Sequence, residues 1–221
     1  MLAGAHRPPL LRVEAAPEIH AEGGAVRREA LGAHEDIYGD HVGDEVACLR
    51  LVQERIGDLR RDVRLRGFRA ARRHAPGHHR VWQLWALPFE GARGAPARWR
   101  DAELTNGERV VQHDADAVAI LAWAPRVPFE TWVLPRDGRH GFEGADVTAV
   151  ARLAGRIAAR VSQALGGSAV DLLITDGEPW RIEVVPTQPS PGLFSAATGI
   201  PRHGGVPERV AEYLRSTPEL P

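Results

Sequence analysis

The chain is predicted to be an α+β protein, an antiparallel sheet with packed helices, and three observations carry that class. Apolar residues recur at helical spacing from Val46 to Leu59 and again from Val147 to Leu165. Runs of strand length group as a meander around the second helical stretch, the arrangement of an α+β layer. Turn residues separate them, notably Pro76-Gly77 and Asp176-Gly177-Glu178.

Taken in order, residues 1–31 show no clean period and are rich in Pro, Gly, Ala and charge, so they are expected to form an irregular lead-in. Val46, Leu49, Val52, Ile56 and Leu59 then mark one helical face, with Asp44 placed to cap its start. Stretches 63–73 and 79–87 read as the two strands of a hairpin. Residues 90–97, Glu-Gly-Ala-Arg-Gly-Ala-Pro-Ala, break the composition and suit a linker. Strands are expected at 109–113, 117–123 and 131–135. The second helix buries Val147, Val150, Leu153, Ile157, Val161 and Leu165, and Gly166-Gly167 stops it. Strands at 169–175 and 180–185 follow, and a closing helix runs from about 207 to 215.

Composition removes several classes of function. A chain of 221 residues with 43% hydrophobic content can bury its own core as one large or two small units. A formal net charge of -1 and a pI near 6.8 lack the basic excess of a nucleic-acid-binding domain. All 28 basic residues are arginine, which excludes a Walker-type phosphate loop or a Schiff-base lysine. The single cysteine, Cys48, cannot form an internal disulfide. No run approaches the roughly 18 apolar residues of a membrane helix, and Ala5-His6-Arg7-Pro8-Pro9 interrupts any leader core, so a cytoplasmic location is expected.

The stretch His79-Arg80-Val81-Trp82-Gln83-Leu84-Trp85-Ala86-Leu87-Pro88-Phe89 resembles the His-Pro-His-x-Gln-Leu-x-Ala-Leu-Pro-Phe motif of galactose-1-phosphate uridylyltransferases, two-lobed relatives of the histidine-triad proteins. Further blocks are similar in order: Gly32-Ala33-His34-Glu35-Asp36-Ile37 with Asp40-His41, the segment 54–62, Gly107-Glu108-Arg109-Val110-Val111, the segment 128–135 and the segment 180–186. The resemblance implies two histidine-triad-like lobes, a partial first one over 32–97 and a second over 98–221. It also implies a nucleotidyl-transfer ancestry in which the second motif His attacks the α-phosphorus. Here that position is Val81. A neutral imidazole can hold a nucleotidyl group as a phosphoramidate, and an isopropyl group cannot.

Other departures are as specific. The family's zinc joins a Cys-x-x-Cys pair to two histidines; His41 and His79 fall on the His positions, but one cysteine leaves the ligand set incomplete, because a closed zinc site wants four N or S donors. The His-x-His pair of the second lobe is replaced around Trp180-Arg181, and the phosphate loop shrinks to Ala75-Pro76-Gly77-His78.

Candidate ligand contacts are therefore His79, Gln83, Arg80, Arg73 and Arg181, with His78 as a surrogate for the missing nucleophile. On a strand over 79–87, Gln83 and His79 share a face with Val81 and Trp85. Each has a bland counterpart: the histidines can be surface residues, and the arginines, Arg72 included, can either bind phosphate bidentately or pair with Glu178 or Glu183. Trp82, Trp85 and Trp132 read as core aromatics. The leading expectation is a nucleotide or nucleotide-sugar binder without efficient transfer. Its alternatives are an active transferase or hydrolase using a surrogate, and a subunit paired with a complete relative; a homodimer is also implied.

Overall fold

The computed structural model describes residues 11–13, 19–21, 24–26, 34–38, 44–74, 82–87, 104–138, 141–175, 180–187 and 205–218. Its first half contributes β1 (Leu11–Val13), β2 (Ile19–Ala21), β3 (Gly24–Val26), β4 (His34–Tyr38), α1 (Glu45–Leu59), β5 (Gly67–His74) and β6 (Trp82–Leu87). The second contributes β7 (Val110–His113), β8 (Ala117–Leu121), β9 (Thr131–Pro135), α2 (Thr148–Ala164), β10 (Val170–Thr175), β11 (Arg181–Pro186) and α3 (Pro207–Ser216). The class is α+β. Among the described residues nine strands form one antiparallel sheet in the order β1-β4-β6-β5-β10-β11-β9-β8-β7, and β2 pairs with β3 separately.

The halves are joined by a ladder between β5 and β10, from Val170 opposite His74 to Ile174 opposite Ala70. Strand periodicity then decides which side chains go where. Trp82, Leu84 and Ala86 of β6, Val170, Leu172 and Ile174 of β10 and Val133 of β9 face the helices and are buried in one continuous core. Helix α1 brings Val46, Leu49, Val52, Ile56 and Leu59 to it, and α2 brings Val150, Leu153, Ala154, Ile157, Ala158 and Val161. The alanines of α2 let its axis lie close to the strands, while each fully buried Leu or Ile contributes roughly 1.5–3 kcal/mol. Strand β8 is buried along its whole length: Ala117, Ala119 and Leu121 face the main core, and Val118 and Ile120 form a second small cluster with Leu134 on the other side.

The caps follow the sequence. The Asp44 carboxylate accepts from the Ala47 amide at 2.9 Å. Beyond α2, Gly166 and Gly167 adopt φ of 68° and 87°, a left-handed close that residues with a Cβ resist. The helices are also tethered through polar contacts: Gln53 Nε2 donates to the Phe142 and Ala145 carbonyls, and Arg60 pairs with Glu143. Arg215 Nη1 donates to the Val110 carbonyl at 2.6 Å and the Glu108 carbonyl at 3.3 Å, on the outermost strand β7.

Three expectations change. Residues 1–31 hold β1, β2 and β3, three-residue strands too short to show a period, and β1 pairs with β4 from Leu11 opposite Ile37. The strand expected from 63 begins at Gly67 instead, because Asp62 captures the Arg64 backbone amide at 3.0 Å and its guanidinium, prolonging the turn after α1. The strand expected over 117–123 ends at Leu121, and Trp123 beyond it is 66% exposed. The linker at 90–97 lies outside the described residues.

Arg72 projects to the helix side, the reverse of its expected role near phosphate. It is buried and pairs with Glu45 in the first turn of α1, whose other carboxylate oxygen accepts from Trp82 Nε1 at 2.8 Å. One carboxylate thus pins α1 to both β5 and β6. Removing one partner of a buried pair strands the other charge, so Arg72→Ala is expected to lower unfolding stability by about 3–5 kcal/mol in urea titration. A loss under about 1 kcal/mol, the size of a surface pair, would show that this contact anchors nothing.

Candidate functional site

The face of the sheet turned away from α1 and α2 carries an unbroken rank of opposed residues: Gln83, Ala71, Leu173, Glu183, Trp132, Ile120 and Val110, one from each strand from β6 to β7. Two residues along, Trp85 stands opposite Arg69 and Thr175 opposite Arg181, on the same face. At the β7–β9 end this face is closed by the Val118, Ile120 and Leu134 cluster with Leu104 against it. Its middle forms a trough of about 380 Å³ lined by residues including Arg69, Ala71, Trp85, Arg126, Glu130, Trp132, Leu173, Thr175, Arg181 and Glu183.

The trough has two unlike ends. Trp85 lies on β6 and Trp132 on β9, four strand spacings apart in the sheet order, which corresponds to roughly 19 Å at the usual ~4.8 Å per strand. Between them the floor is Ala71 and Leu173, small and apolar. Around Trp132 the chemistry is ionic. Arg181 lies over the Trp132 ring at 4.2 Å; its Nε donates to Glu183 Oε1 at 2.8 Å and its Nη2 pairs with the same oxygen at 2.5 Å. Thr175 Oγ1 donates to the same oxygen at 2.9 Å. Arg126 reaches from the loop after β8, donating through Nη2 to Glu183 Oε2 at 2.5 Å and to Glu130 Oε1 at 2.8 Å. Trp132 Nε1 and the Arg126 backbone amide complete the shell of Glu130, at 3.0 and 2.6 Å.

Burial and hydrogen bonding compete on these groups. Burial works to raise the Glu130 carboxyl, but donation from Arg126 and Trp132 prevails and holds it below the usual carboxylate range. Burial likewise works against the Arg126 cation, and its bonds to Glu130 and Glu183 outweigh that, raising it further. The loop that presents Arg126 and Glu130 turns at Phe129, whose φ of 67° is left-handed and rare for a bulky side chain. The Phe129 carbonyl accepts from Thr131 Oγ1 at 3.0 Å, and its ring meets Tyr213 edge-on at 6.1 Å.

Of the residues singled out by sequence, Arg181 lines the trough and Gln83 lies on the same face in the rank of Glu183, three strands away. Arg73 is described only as backbone, opposite Asp171. His41, His78, His79, Arg80 and Val81 lie outside the described residues. Trp82 is core, as expected, whereas Trp85 and Trp132 are only partly buried and line the trough. The pairing of Arg181 with Glu183, one of its two foreseen partners, is present. Arg126 and Glu130 were missed, because a loop of Pro and apolar residues gives no periodic signal that its charges turn inward. Cys48 is buried, and among the described residues no group of three or more His, Cys, Asp or Glu side chains is placed to hold a metal.

The sequence matches no protein-family model and no curated protein. Solved structures share its fold. A GalT-like protein of Arabidopsis thaliana superposes with a TM-score of 0.68 at 18% identity, covering 96% of this chain and 89% of that one. An ADP-glucose phosphorylase from the same plant, solved with bound ADP-glucose, gives 0.67 at 18% identity over 95% and 85%. A uridylyltransferase gives 0.67 at 13% identity over 93% and 82%. The α+β class expected from the sequence is observed, and its fold is shared with these solved structures.

The depressed Glu130 pKa fixes a pH dependence. A carboxylate held below its unfolded value of about 4.3 adds stability above that pH and loses it as pH falls through the folded value. Urea unfolding from pH 7 to 3 should therefore show the advantage of the wild type over Glu130→Gln shrinking below about pH 4. An advantage of equal size at both ends of the range would rule out an ionised Glu130 as its source.

Proposed function

We propose that the protein binds a nucleotide or nucleotide sugar along the open-face trough and does not transfer the nucleotidyl group efficiently. The observation that carries this reading is the trough itself: an elongated apolar floor with an indole near each end and three guanidinium groups, Arg69, Arg126 and Arg181, against two carboxylates, Glu130 and Glu183. Both carboxylates are engaged by neighbours, Glu130 by Arg126 and Trp132 and Glu183 by Arg126, Arg181 and Thr175. A ligand with a planar ring and an anionic linker fits such a surface, since ring stacking on Trp contributes about 1–3 kcal/mol and guanidinium matches phosphate geometry. The ADP-glucose held by the Arabidopsis phosphorylase of like fold supports a nucleotide sugar as the ligand class.

In this reading Gln83 and Arg181 serve the ligand from the sheet, and His79, Arg80 and Arg73 remain contacts inferred from the motif. Val81 at the place of the attacking imidazole is the reason that binding is not followed by efficient transfer.

Calorimetric titration with UDP, ADP, UDP-glucose and ADP-glucose tests the binding. At least one is expected to bind with a submillimolar Kd, and Trp85→Ala to weaken it roughly tenfold, within the range for one stacking contact. Silence at millimolar concentrations of all four would sink the proposal. Val81→His tests the second half: incubation with UDP-glucose radiolabelled in its uridylyl group should label the variant covalently, with glucose 1-phosphate leaving, and leave the wild type unlabelled. Equal labelling of both proteins would contradict a lost nucleophile.

A further inference from the structure

We propose that the β11–β9 end of the trough is a phosphoryl-binding subsite formed by Arg126 and Arg181 as a pair, with Glu183 as the residue that positions both. It rests on the reading that the trough takes a nucleotide ligand, and it assigns which end of the trough receives the phosphates.

The hydrogen-bond inventory of the two guanidinium groups carries this. A guanidinium has five N–H donors in a fixed fork. Arg181 donates through Nε to Glu183 Oε1, with Nη2 in ion-pair contact with the same oxygen, and Arg126 uses Nε on Glu130 and Nη2 on Glu130 and Glu183. Among the described residues neither Nη1 meets an acceptor, so each arginine keeps N–H groups for a partner. Both side chains line the trough. The Arg126 side chain is 51% exposed, whereas its anchors Glu130 and Glu183 are buried. One carboxylate thus holds two cations side by side, Oε1 toward Arg181 and Oε2 toward Arg126, and Thr175 and the Trp132 ring fix the remaining freedom of Glu183 and Arg181.

Such an arrangement overcomes two obstacles to anion binding. Repulsion between adjacent guanidinium groups is offset by the shared carboxylate, and the entropy of fixing two long side chains is lost on folding instead of on binding. Glu183 also lines the trough, and its charge is countered there by the donors that both of its oxygens accept from. What remains on the trough side is N–H from two fixed forks, which suits the several oxygens of a phosphate or diphosphate. Trp85 with Arg69 lies at the other end, on β6 and β5, and is left for the ring of the ligand.

The test uses the full chain and four probes: inorganic phosphate, pyrophosphate, ADP and adenosine. Pyrophosphate is expected to bind and to compete with ADP, and Arg126→Ala to weaken both by about tenfold or more, the loss attached to a charge-assisted hydrogen bond. Arg126→Lys should recover only part of it, a compact ammonium being unable to reproduce the fork. Arg126 is half exposed, so its variants should fold; circular dichroism and a retained thermal midpoint check this. Arg181→Lys provides an independent arm with the same expected direction. Adenosine affinity should change by less than about twofold in all of these variants, since no phosphate is present. ADP binding that is indifferent to both arginines would overturn the subsite while leaving nucleotide binding in place. Arginine-dependent pyrophosphate binding without ADP binding would uphold the subsite and remove the nucleotide reading. No binding of any probe would remove both.

Discussion

The ladder between β5 and β10 is the constraint on which the molecule depends. Without it there are two smaller sheets, each with a helix on one side; with it there is one continuous surface wide enough for a ligand some four strands long. Register makes this sharp. Because side chains alternate, Ala71 opposite Leu173 places Gln83, Glu183 and Trp132 on the same open face, and Ala70 opposite Ile174 places Leu84, Ile182 and Val133 on the helix face. A slip of one residue along this ladder would bring the core of one half level with the trough of the other.

How much of this was legible in the sequence varies with the physics involved. Both long helices, the cap at Asp44, the stop at Gly166-Gly167 and the strand Thr131–Pro135 could be read directly, because each rests on local periodicity or on a local backbone preference. The pairing of β5 with β10 could not, since it joins residues about a hundred positions apart and nothing local records it. The three-residue strands β1 to β3 escaped because they contain too few residues to express a period. Tryptophans exposed the limit of composition: Trp82 and Trp85 are three residues apart on one strand, and strand parity alone sends one to the core and the other to the trough.

The candidate site divides in the same way. Arg181 and Gln83 were found because they sit inside a recognisable motif frame, and both are on the open face. Arg126 and Glu130 come from a loop that a left-handed Phe129 folds back over the sheet, and Arg126 meets Glu183 across 57 positions. Seen as chemistry, the cluster is a buried ionic knot whose carboxylates are almost wholly consumed in holding guanidinium groups. Buried ion pairs seldom add much net stability, because desolvation offsets attraction. In this trough the pairs fix the positions of Arg126, Arg181 and Trp132 relative to one another.

The Arg215 side chain has a different kind of consequence. A terminal strand of a sheet presents open backbone groups that can template another chain. By occupying the Val110 and Glu108 carbonyls from α3, Arg215 leaves the β7 margin fewer acceptors with which to recruit a stranger. The closing helix therefore works as a stopper for that margin as well as a packing element.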